Sequence, residues 1–191
     1  MFFEQEACVL LPEVVSPNIH PKVARVLLER KRPKVALDVL YSSGGDGALK
    51  LSNSSSSGEV PSLVDAVTAV RVRLECGLLT EAYLYQRSYT SRVISKAQQN
   101  AVSKTKSSDK DDCRDWFSDM QSLVGEICSL CMRKNLLNKM IELPWQEDEE
   151  RILFSFLLEQ ATQNPCSTAG SLMIIYYIMV SMHIPLPMKC N

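Results

Sequence analysis

The chain of 191 residues contains 21 Lys and Arg against 22 Asp and Glu, so its formal net charge is −1. This balance excludes the strong positive field on which general binding to nucleic acid or acidic membranes depends. Apolar residues make up 46% of the sequence, enough for a sizeable core, and seven cysteines without regular spacing or a preceding signal peptide indicate buried thiols in a reducing compartment.

The N-terminal part of the chain predicts a short helical pair between two irregular segments. Residues 1–19 mix apolar and acidic residues with two prolines and show no periodicity. A helix is expected from Pro21, and Pro33 should end it and begin a second short helix. Residues 42–61 are rich in Gly and Ser, a composition that predicts a flexible loop.

The strongest structural signal is residues 62–87 (SLVDAVTAVRVRLECGLLTEAYLYQR), which predict two helices joined by a tight turn. Ser62 with Asp65 three residues later is a typical helix start. Gly77 can take the left-handed conformation that ends a helix, and Thr80 is predicted to be the N-cap of the second helix. A unit of this kind is an antiparallel hairpin, from which bundles and α-solenoids are built.

The remaining chain predicts a second loop and four further helices. Polar residues dominate at about 96–111, where the second flexible loop is expected. A long amphipathic helix should run from near Asp112 to about Lys134, and Asn135 should end it before a short helix at 136–142. The acidic run at 147–150 predicts the start of the next helix, because the helix dipole favours negative charge there.

The last helix is predicted to open at Ser167 or Thr168 and to precede an irregular tail at 183–191. Its segment 172–180 is apolar nearly all round, so it is expected to be buried between neighbouring helices. This segment is shorter than the roughly 20 residues that cross a bilayer, so no membrane span is predicted. The sequence predicts no strand, and therefore an all-α fold in which antiparallel helical hairpins of one domain, residues 20–182, stack as a solenoid-like array.

Two sequence features could suggest a metal site or catalysis, and both favour a structural interpretation. Cys128 and Cys131 have a spacing that begins some zinc sites or redox pairs, but no second Cys/His pair lies at a suitable distance, so they are interpreted as buried thiols on an apolar helix face. His20 and His183 lie near opposite ends of the chain and show no pattern of catalytic neighbours. No catalytic, cofactor-binding or metal-binding residue is predicted.

Three further clusters have both a functional and a structural interpretation. Consecutive acids at 147–150 cannot converge on one ion from a helix, and Gly44, Gly45 and Gly47 do not match a phosphate-binding loop, so these are interpreted as a helix start and a loop. The basic run 30–34 (RKRPK) is either a nuclear-import signal, a nucleic-acid patch or a solvated helix end. The nucleic-acid alternative would also use Lys104, Lys106 and Lys110.

Three stretches resemble one known family. The string VDAVTAVRVRLECGLLTEAYLYQR at 64–87, the helix around Trp116, and IELPW at 141–145 before an acidic helix start resemble the ELYS-like region of the plant nuclear-pore-associated ubiquitin ligases called High expression of Osmotically responsive genes. The resemblance covers about residues 21–177. It implies a helical region related to part of the animal ELYS nucleoporin, located at the nucleus and nuclear envelope, with roles in messenger RNA export, cold response and flowering.

The resemblance also implies what this chain does alone. Full-length family members carry a RING-type zinc module upstream, but this sequence has no pair of Cys/His clusters with RING spacing, so ligase activity is not expected of it. The alternative is a fragment of a RING-type E3 ubiquitin-protein ligase whose catalytic module is absent. The family's helical array continues past the position of Tyr177, so we expect a truncated, alternatively spliced or fragmentary product.

The resulting hypothesis is a non-catalytic helical protein-interaction module without cofactor. Its expected partners are proteins, namely outer-ring nucleoporins, contacted through aromatic and aliphatic anchors and not through charge. No specific nucleic-acid site is expected. Because a solenoid needs a polar cap, the apolar last helix should remain exposed at Ile174, Ile175 and Tyr177 and allow self-association.

Overall fold

The computed structural model describes residues 19–42, 60–103 and 116–183, and these contain eight α-helices and no β-strand. The predicted all-α class is confirmed. The chain divides into two compact units, Met1–Leu130 and Cys131–Asn191. Residues 1–18 of the predicted irregular N-terminal segment, most of the loop predicted at 42–61, and all of the predicted tail after His183 lie outside the described residues. Ser42 and His183 are the last residues of helices, although they were predicted to belong to the loop and the tail.

The first unit contains four complete helices, which are arranged as two pairs, and most of a fifth helix. They are α1 (His20–Glu29), α2 (Pro33–Ser42), α3 (Leu63–Glu75), α4 (Leu79–Ser103) and α5 (Trp116–Arg133), whose last residues belong to the second unit. Helix α1 packs against α2, α3 packs against α4, and α3 also contacts both α1 and α2. Residues 96–103 are helical, although their polar composition predicted a loop; residues 104–115 are outside the described ranges.

The second unit contains α6 (Leu137–Ile141), α7 (Glu147–Gln163) and α8 (Thr168–His183), with α7 and α8 packed against each other. The short helix predicted at 136–142 is confirmed. Helix α8 begins at Thr168, directly after Ser167, whose hydroxyl oxygen accepts from the N–H of Gly170 at 3.2 Å. Sequence-adjacent helices thus pair in both units, and the stacking of these pairs into a solenoid stays a prediction.

The turn between α3 and α4 begins with Gly77 at a φ of +83°. The N–H of Gly77 donates to the carbonyl of Leu74 at 3.0 Å, and the N–H of Leu78 donates to the carbonyl of Arg73 at 2.9 Å. These two bonds are the Schellman pattern, which satisfies carbonyls left unpaired at a helix end. The predicted helix stop at Gly77 is confirmed.

Two helix N-caps were predicted in the α3–α4 hairpin, one at Ser62 and one at Thr80. Ser62 is confirmed as an N-cap, because its hydroxyl oxygen accepts from the N–H of Asp65 at 3.2 Å. The N-cap predicted at Thr80 is wrong. Helix α4 begins at Leu79, and the N–H of Ala82 donates to the carbonyl of Leu78 at 3.0 Å, so Thr80 already lies in the first turn. The Schellman turn brings the chain into helical conformation earlier than the side-chain pattern suggests.

Two other helices end in the same way. Asn135 (φ +56°) ends α5 as predicted, and Lys31 (φ +59°) ends α1, which the sequence did not indicate. At Lys31 the N–H donates to the carbonyl of Leu28, and the N–H of Arg32 donates to the carbonyl of Leu27, both at 2.9 Å. A lysine lacks the conformational freedom of Gly in this region, so the turn is strained at Lys31.

Replacing Lys31 with Gly should therefore stabilise the chain. We expect Lys31→Gly to raise the free energy of unfolding by about 0.5–1 kcal/mol, because relief of the left-handed penalty exceeds the added chain entropy of Gly. Urea denaturation followed by circular dichroism measures the change. Lys34→Gly is the matched control: it removes a charge from the same basic run but lies in the first turn of α2, where Gly relieves no left-handed conformation and should not stabilise the chain.

Each unit has its own buried apolar core. In the first unit, small residues such as Ala24, Ala36 and Ala66 are fully buried, which allows the backbones of α1, α2 and α3 to approach closely. Larger core side chains are contributed by α3, α4 and α5: Val70, Leu74, Tyr83, Tyr85, Leu123 and Ile127. In the second unit the buried residues include Met140, Leu153, Leu157, Ala169 and Leu172.

Candidate interaction surface

In the first unit, buried polar side chains make contacts between helices. Arg73 on α3 is 2% exposed, and its guanidinium carbon lies 4.5 Å from the ring centroid of Tyr85 and 5.9 Å from that of Tyr41. One guanidinium nitrogen also donates to the carbonyl of Ala69 at 3.0 Å. Cation–π contacts of a desolvated guanidinium are strong, so Arg73 links α2, α3 and α4.

Tyr41 and Tyr85, the two rings around Arg73, have different surroundings. The Tyr41 hydroxyl donates to the carboxylate of Glu81 at 2.6 Å, which adds a second contact between α2 and α4. Burial raises the pKa of the Tyr85 phenol, while the charge of Arg73 opposes that rise. The raised pKa keeps the Tyr85 phenol neutral at pH 7, so this ring contributes to packing.

Two polar pairs connect α5 to the helices before it. Arg71 on α3 donates to both carboxylate oxygens of Glu126, at 2.6 and 2.9 Å, and this pairing raises the pKa of Arg71. The Tyr89 hydroxyl on α4 donates to the carboxylate of Asp119 at 3.2 Å in a buried position. These groups stabilise the helix arrangement.

Cys128 and Cys131 both lie on α5 and are fully buried, in agreement with their interpretation as buried thiols. Burial raises the pKa of Cys131 to about 11. A thiol of this kind is a poor nucleophile and a poor metal ligand at neutral pH, because both roles need the thiolate. Across the described ranges, no cluster of His, Cys, Asp and Glu could hold a metal ion.

This burial predicts selective alkylation. Iodoacetamide at pH 8 should modify exposed Cys166 in the folded chain but leave Cys131 unmodified, because only about one Cys131 in a thousand would be thiolate at that pH. Peptide mass spectrometry measures the extent of labelling. Labelling in urea provides the control, since both cysteines should then react. Equal labelling rates of the two cysteines in the folded chain would contradict the structure.

Acids at 147–150 act separately, as their consecutive positions predicted. A carboxylate oxygen of Glu149, which is 2% exposed, accepts from the N–H of Gln146 at 2.9 Å and closes the start of α7. Glu147 pairs with Arg151 at 2.7 Å on the surface. Glu150 accepts a short hydrogen bond from the Tyr176 hydroxyl, which fixes α8 on α7. The predicted helix-start role of this cluster is confirmed.

The histidines and the basic run occupy structural positions. His20 is 1% exposed in the first turn of α1, and His183 is the last residue of α8. In the basic run 30–34, Arg30, Lys31 and Arg32 form the turn between α1 and α2, with Lys31 in the left-handed conformation, and Pro33 and Lys34 begin α2. Lys104, Lys106 and Lys110 lie outside the described residues.

Apolar side chains are most exposed on α8. Ile174 and Tyr177 are each 64% exposed, and Ile175 and Ile178 are 50% and 51% exposed. On the other side of the helix, Ala169 and Leu172 are buried. The prediction that this helix is buried between neighbours is wrong, since it is covered on one side by α7. The exposed end predicted at Ile174, Ile175 and Tyr177 is observed.

Comparison with known proteins identifies the family. Residues 2–160 match the family model described as ELYS: Nuclear pore complex assembly. The chain belongs to the ELYS family. The predicted location at the nucleus and nuclear pore follows from this membership. The matched residues include α1 to α6 and most of α7, whereas α8 comes after them.

A curated relative supports the predicted resemblance within the ELYS family. The E3 ubiquitin-protein ligase HOS1 of Arabidopsis thaliana is 46% identical to this chain over 174 residues, which represent 91% of this chain and 18% of HOS1. The chain thus spans less than a fifth of the length of this relative. No solved structure matches the chain. Within the described ranges of this ELYS family member, no helix is long and apolar enough to cross a membrane.

The sequence of this ELYS family member did not lead us to predict that Arg73 and Asp119 are buried. In both cases the position of the residue on an apolar helix face could have indicated it. Arg73 follows Ala66 and Val70 at the spacing i, i+4, i+7, and Asp119 precedes Met120 on the predicted apolar side of α5. A charged residue on an apolar helix face indicates a buried polar pair, but its partner depends on the tertiary fold.

Proposed function

We propose that this chain is a non-catalytic helical protein-interaction module of a nuclear-pore-associated protein. The observation that supports this proposal most is the match of residues 2–160 to a family described by nuclear pore complex assembly. The helical fold agrees with such a role, because helical pairs provide extended surfaces for other proteins. The proposed partners are outer-ring nucleoporins, bound mainly through aliphatic and aromatic side chains.

The internal contacts favour a scaffold over an enzyme. Arg73 is enclosed by two tyrosine rings, Asp119 is paired with Tyr89, and Glu149 closes a helix start. These groups contribute to the helix arrangement. Messenger RNA export and the stress and flowering responses would then depend on docking of this module within a larger assembly.

Precipitation of the tagged chain from nuclear extract tests this function. We expect outer-ring nucleoporins in the precipitate, identified with specific antibodies, and the tagged chain at the nuclear envelope in cells. A tagged chain carrying Arg73→Ala, which disturbs the first unit, is the control for folding-dependent binding. Absence of those nucleoporins together with uniform cytoplasmic distribution of the wild-type chain would contradict the proposal.

A second candidate function is that of an E3 ubiquitin-protein ligase, which is favoured by the similarity to HOS1. The described residues contain no cluster that could hold the zinc of a RING module. A ubiquitination assay with and without added zinc separates the two functions. We expect no ubiquitin transfer by this chain in either condition, whereas zinc-dependent transfer by the chain alone would support the ligase.

A further inference from the structure

Positive charge is concentrated in the α1–α2 pair. Residues 20–42 contain six Lys and Arg against two Asp and Glu, so this segment has a net charge of +4, although the whole chain has −1. The rest of the chain, by difference, has a net charge of −5. Five of the six cations are exposed, and we define them as the basic surface: Lys22, Arg25, Arg30, Lys31 and Lys34.

The cations of the basic surface are held on the side of the helices that faces away from the core. On α1 the buried residues are His20, Ala24 and Leu27, and Lys22 and Arg25 lie on the opposite side of the helix. In the turn after α1, the N–H groups of residues 30–32 each donate to a carbonyl of α1, at 2.9 to 3.0 Å. The backbone is thus ordered before a partner binds, which reduces the entropy lost on binding.

Lys31 distinguishes the basic surface from an ordinary solvated helix end. Its φ of +59° lies in the left-handed region, where Gly would be favoured and lysine is strained. Strained backbone of this kind is frequent at binding sites, where the side chain is needed in spite of the lost stability. Lys31, together with Lys22, Arg25 and Lys34, forms no ion pair with another residue of the described ranges. Its charge is therefore open to a partner.

The composition of the basic surface favours an acidic protein segment over nucleic acid. Val26, which is 46% exposed, lies between Lys22 and Arg30 at the spacing i, i+4, i+8, so the surface also offers an apolar contact. Glu29 and Asp38 are exposed on the same two helices and would repel the uninterrupted charge of a phosphate backbone. A peptide in which apolar residues separate the carboxylates can match both the cations and Val26.

We propose that the basic surface binds an acidic segment of a partner protein, with carboxylates at the cations and an apolar side chain on Val26. Contacts between exposed charges are individually weak, so the dissociation constant should be on the order of 10–100 µM at low salt. The basic surface is separate from the aliphatic and aromatic anchors of the proposed function. The inference therefore goes beyond the nuclear-pore role and does not depend on it.

Fluorescence anisotropy of a labelled peptide of repeated Asp-Glu-Leu, titrated with the purified chain, tests the proposal. We expect binding that weakens about fivefold or more when salt rises from 50 to 200 mM, because exposed charges are screened. A peptide of repeated Asn-Gln-Leu has a similar shape without charge and should not bind. Absence of salt-dependent binding of the acidic peptide would overturn the proposal. Tighter binding of duplex DNA than of the acidic peptide would overturn the choice of partner.

Lys31→Gly gives the sharpest test, because stability and binding should change in opposite directions. The variant should unfold at a higher urea concentration than the wild type, yet bind the acidic peptide about two- to fivefold more weakly, since one cation is lost. Lys139→Gln is the control: it removes one exposed cation from α6, outside the basic surface, and should leave binding unchanged. Wild-type affinity in Lys31→Gly, or equal weakening in both variants, would overturn the assignment of this surface.

Discussion

Gly170→Ala should destabilise the α7–α8 pair by about 2–4 kcal/mol, because there is no space for a methyl group at this position. A Cβ added to Gly170 would lie 2.2 Å from the carbonyl oxygen and 2.9 Å from the carbonyl carbon of Pro165. Both are backbone atoms, which cannot move aside as a flexible side chain can. The turn before α8 and the helix itself would have to separate to accept the alanine.

Gly125→Ala is the matched control for this effect. Gly125 lies inside α5, and an added Cβ would meet no atom of the described residues within 4 Å. Alanine should therefore stabilise the chain by about 0.5–1 kcal/mol through its higher helix propensity. Urea denaturation of both variants measures the two changes. Equal effects of the same sign would show that the close approach at Gly170 does not exist.

Arg73→Ala should lower the free energy of unfolding by about 3 kcal/mol. The substitution removes the cation between the rings of Tyr41 and Tyr85, removes the hydrogen bond to the carbonyl of Ala69, and leaves a cavity where the buried side chain was. Chemical denaturation provides the value. The near-ultraviolet circular dichroism of the tyrosines should change as well, because two rings lose their packing partner.

Arg71→Ala, two residues earlier on the same helix, is the comparison. The Arg71 side chain is 49% exposed, so solvent screens its pair with Glu126 and the loss should be about 1 kcal/mol or less. Both substitutions remove one positive charge from α3, and their difference therefore isolates the contribution of burial. If the two variants lose the same stability, Arg73 does not serve as the central contact of the first unit.

Local signals explain why the helices of this chain could be predicted from the sequence. Ser62 with Asp65 predicts a helix start, and Gly77 and Asn135 predict helix ends, because capping depends on residues close in the sequence. Lys31 shows the limit of such signals. It takes the same left-handed conformation as Gly77, although lysine carries no preference for it, because the packing of α1 on α2 determines the turn.

Contacts between helices could not be predicted in the same way. Arg71 and Glu126 are 55 residues apart, and Tyr89 and Asp119 are 30 residues apart, so their pairing depends on the tertiary arrangement. The exposure of α8 has a similar origin. An apolar helix is predicted to be buried, but whether one or both of its sides are covered depends on which helices lie beside it.

The proposed interaction is tested by equilibrium binding of the purified chain to a reconstituted outer-ring nucleoporin complex. We expect specific binding whose dissociation constant changes less than about threefold between 50 and 200 mM salt, because the proposed anchors are apolar and not charged. No binding at either salt concentration, or binding that falls by a factor of about ten or more over this range as charge-dependent contacts do, would contradict it.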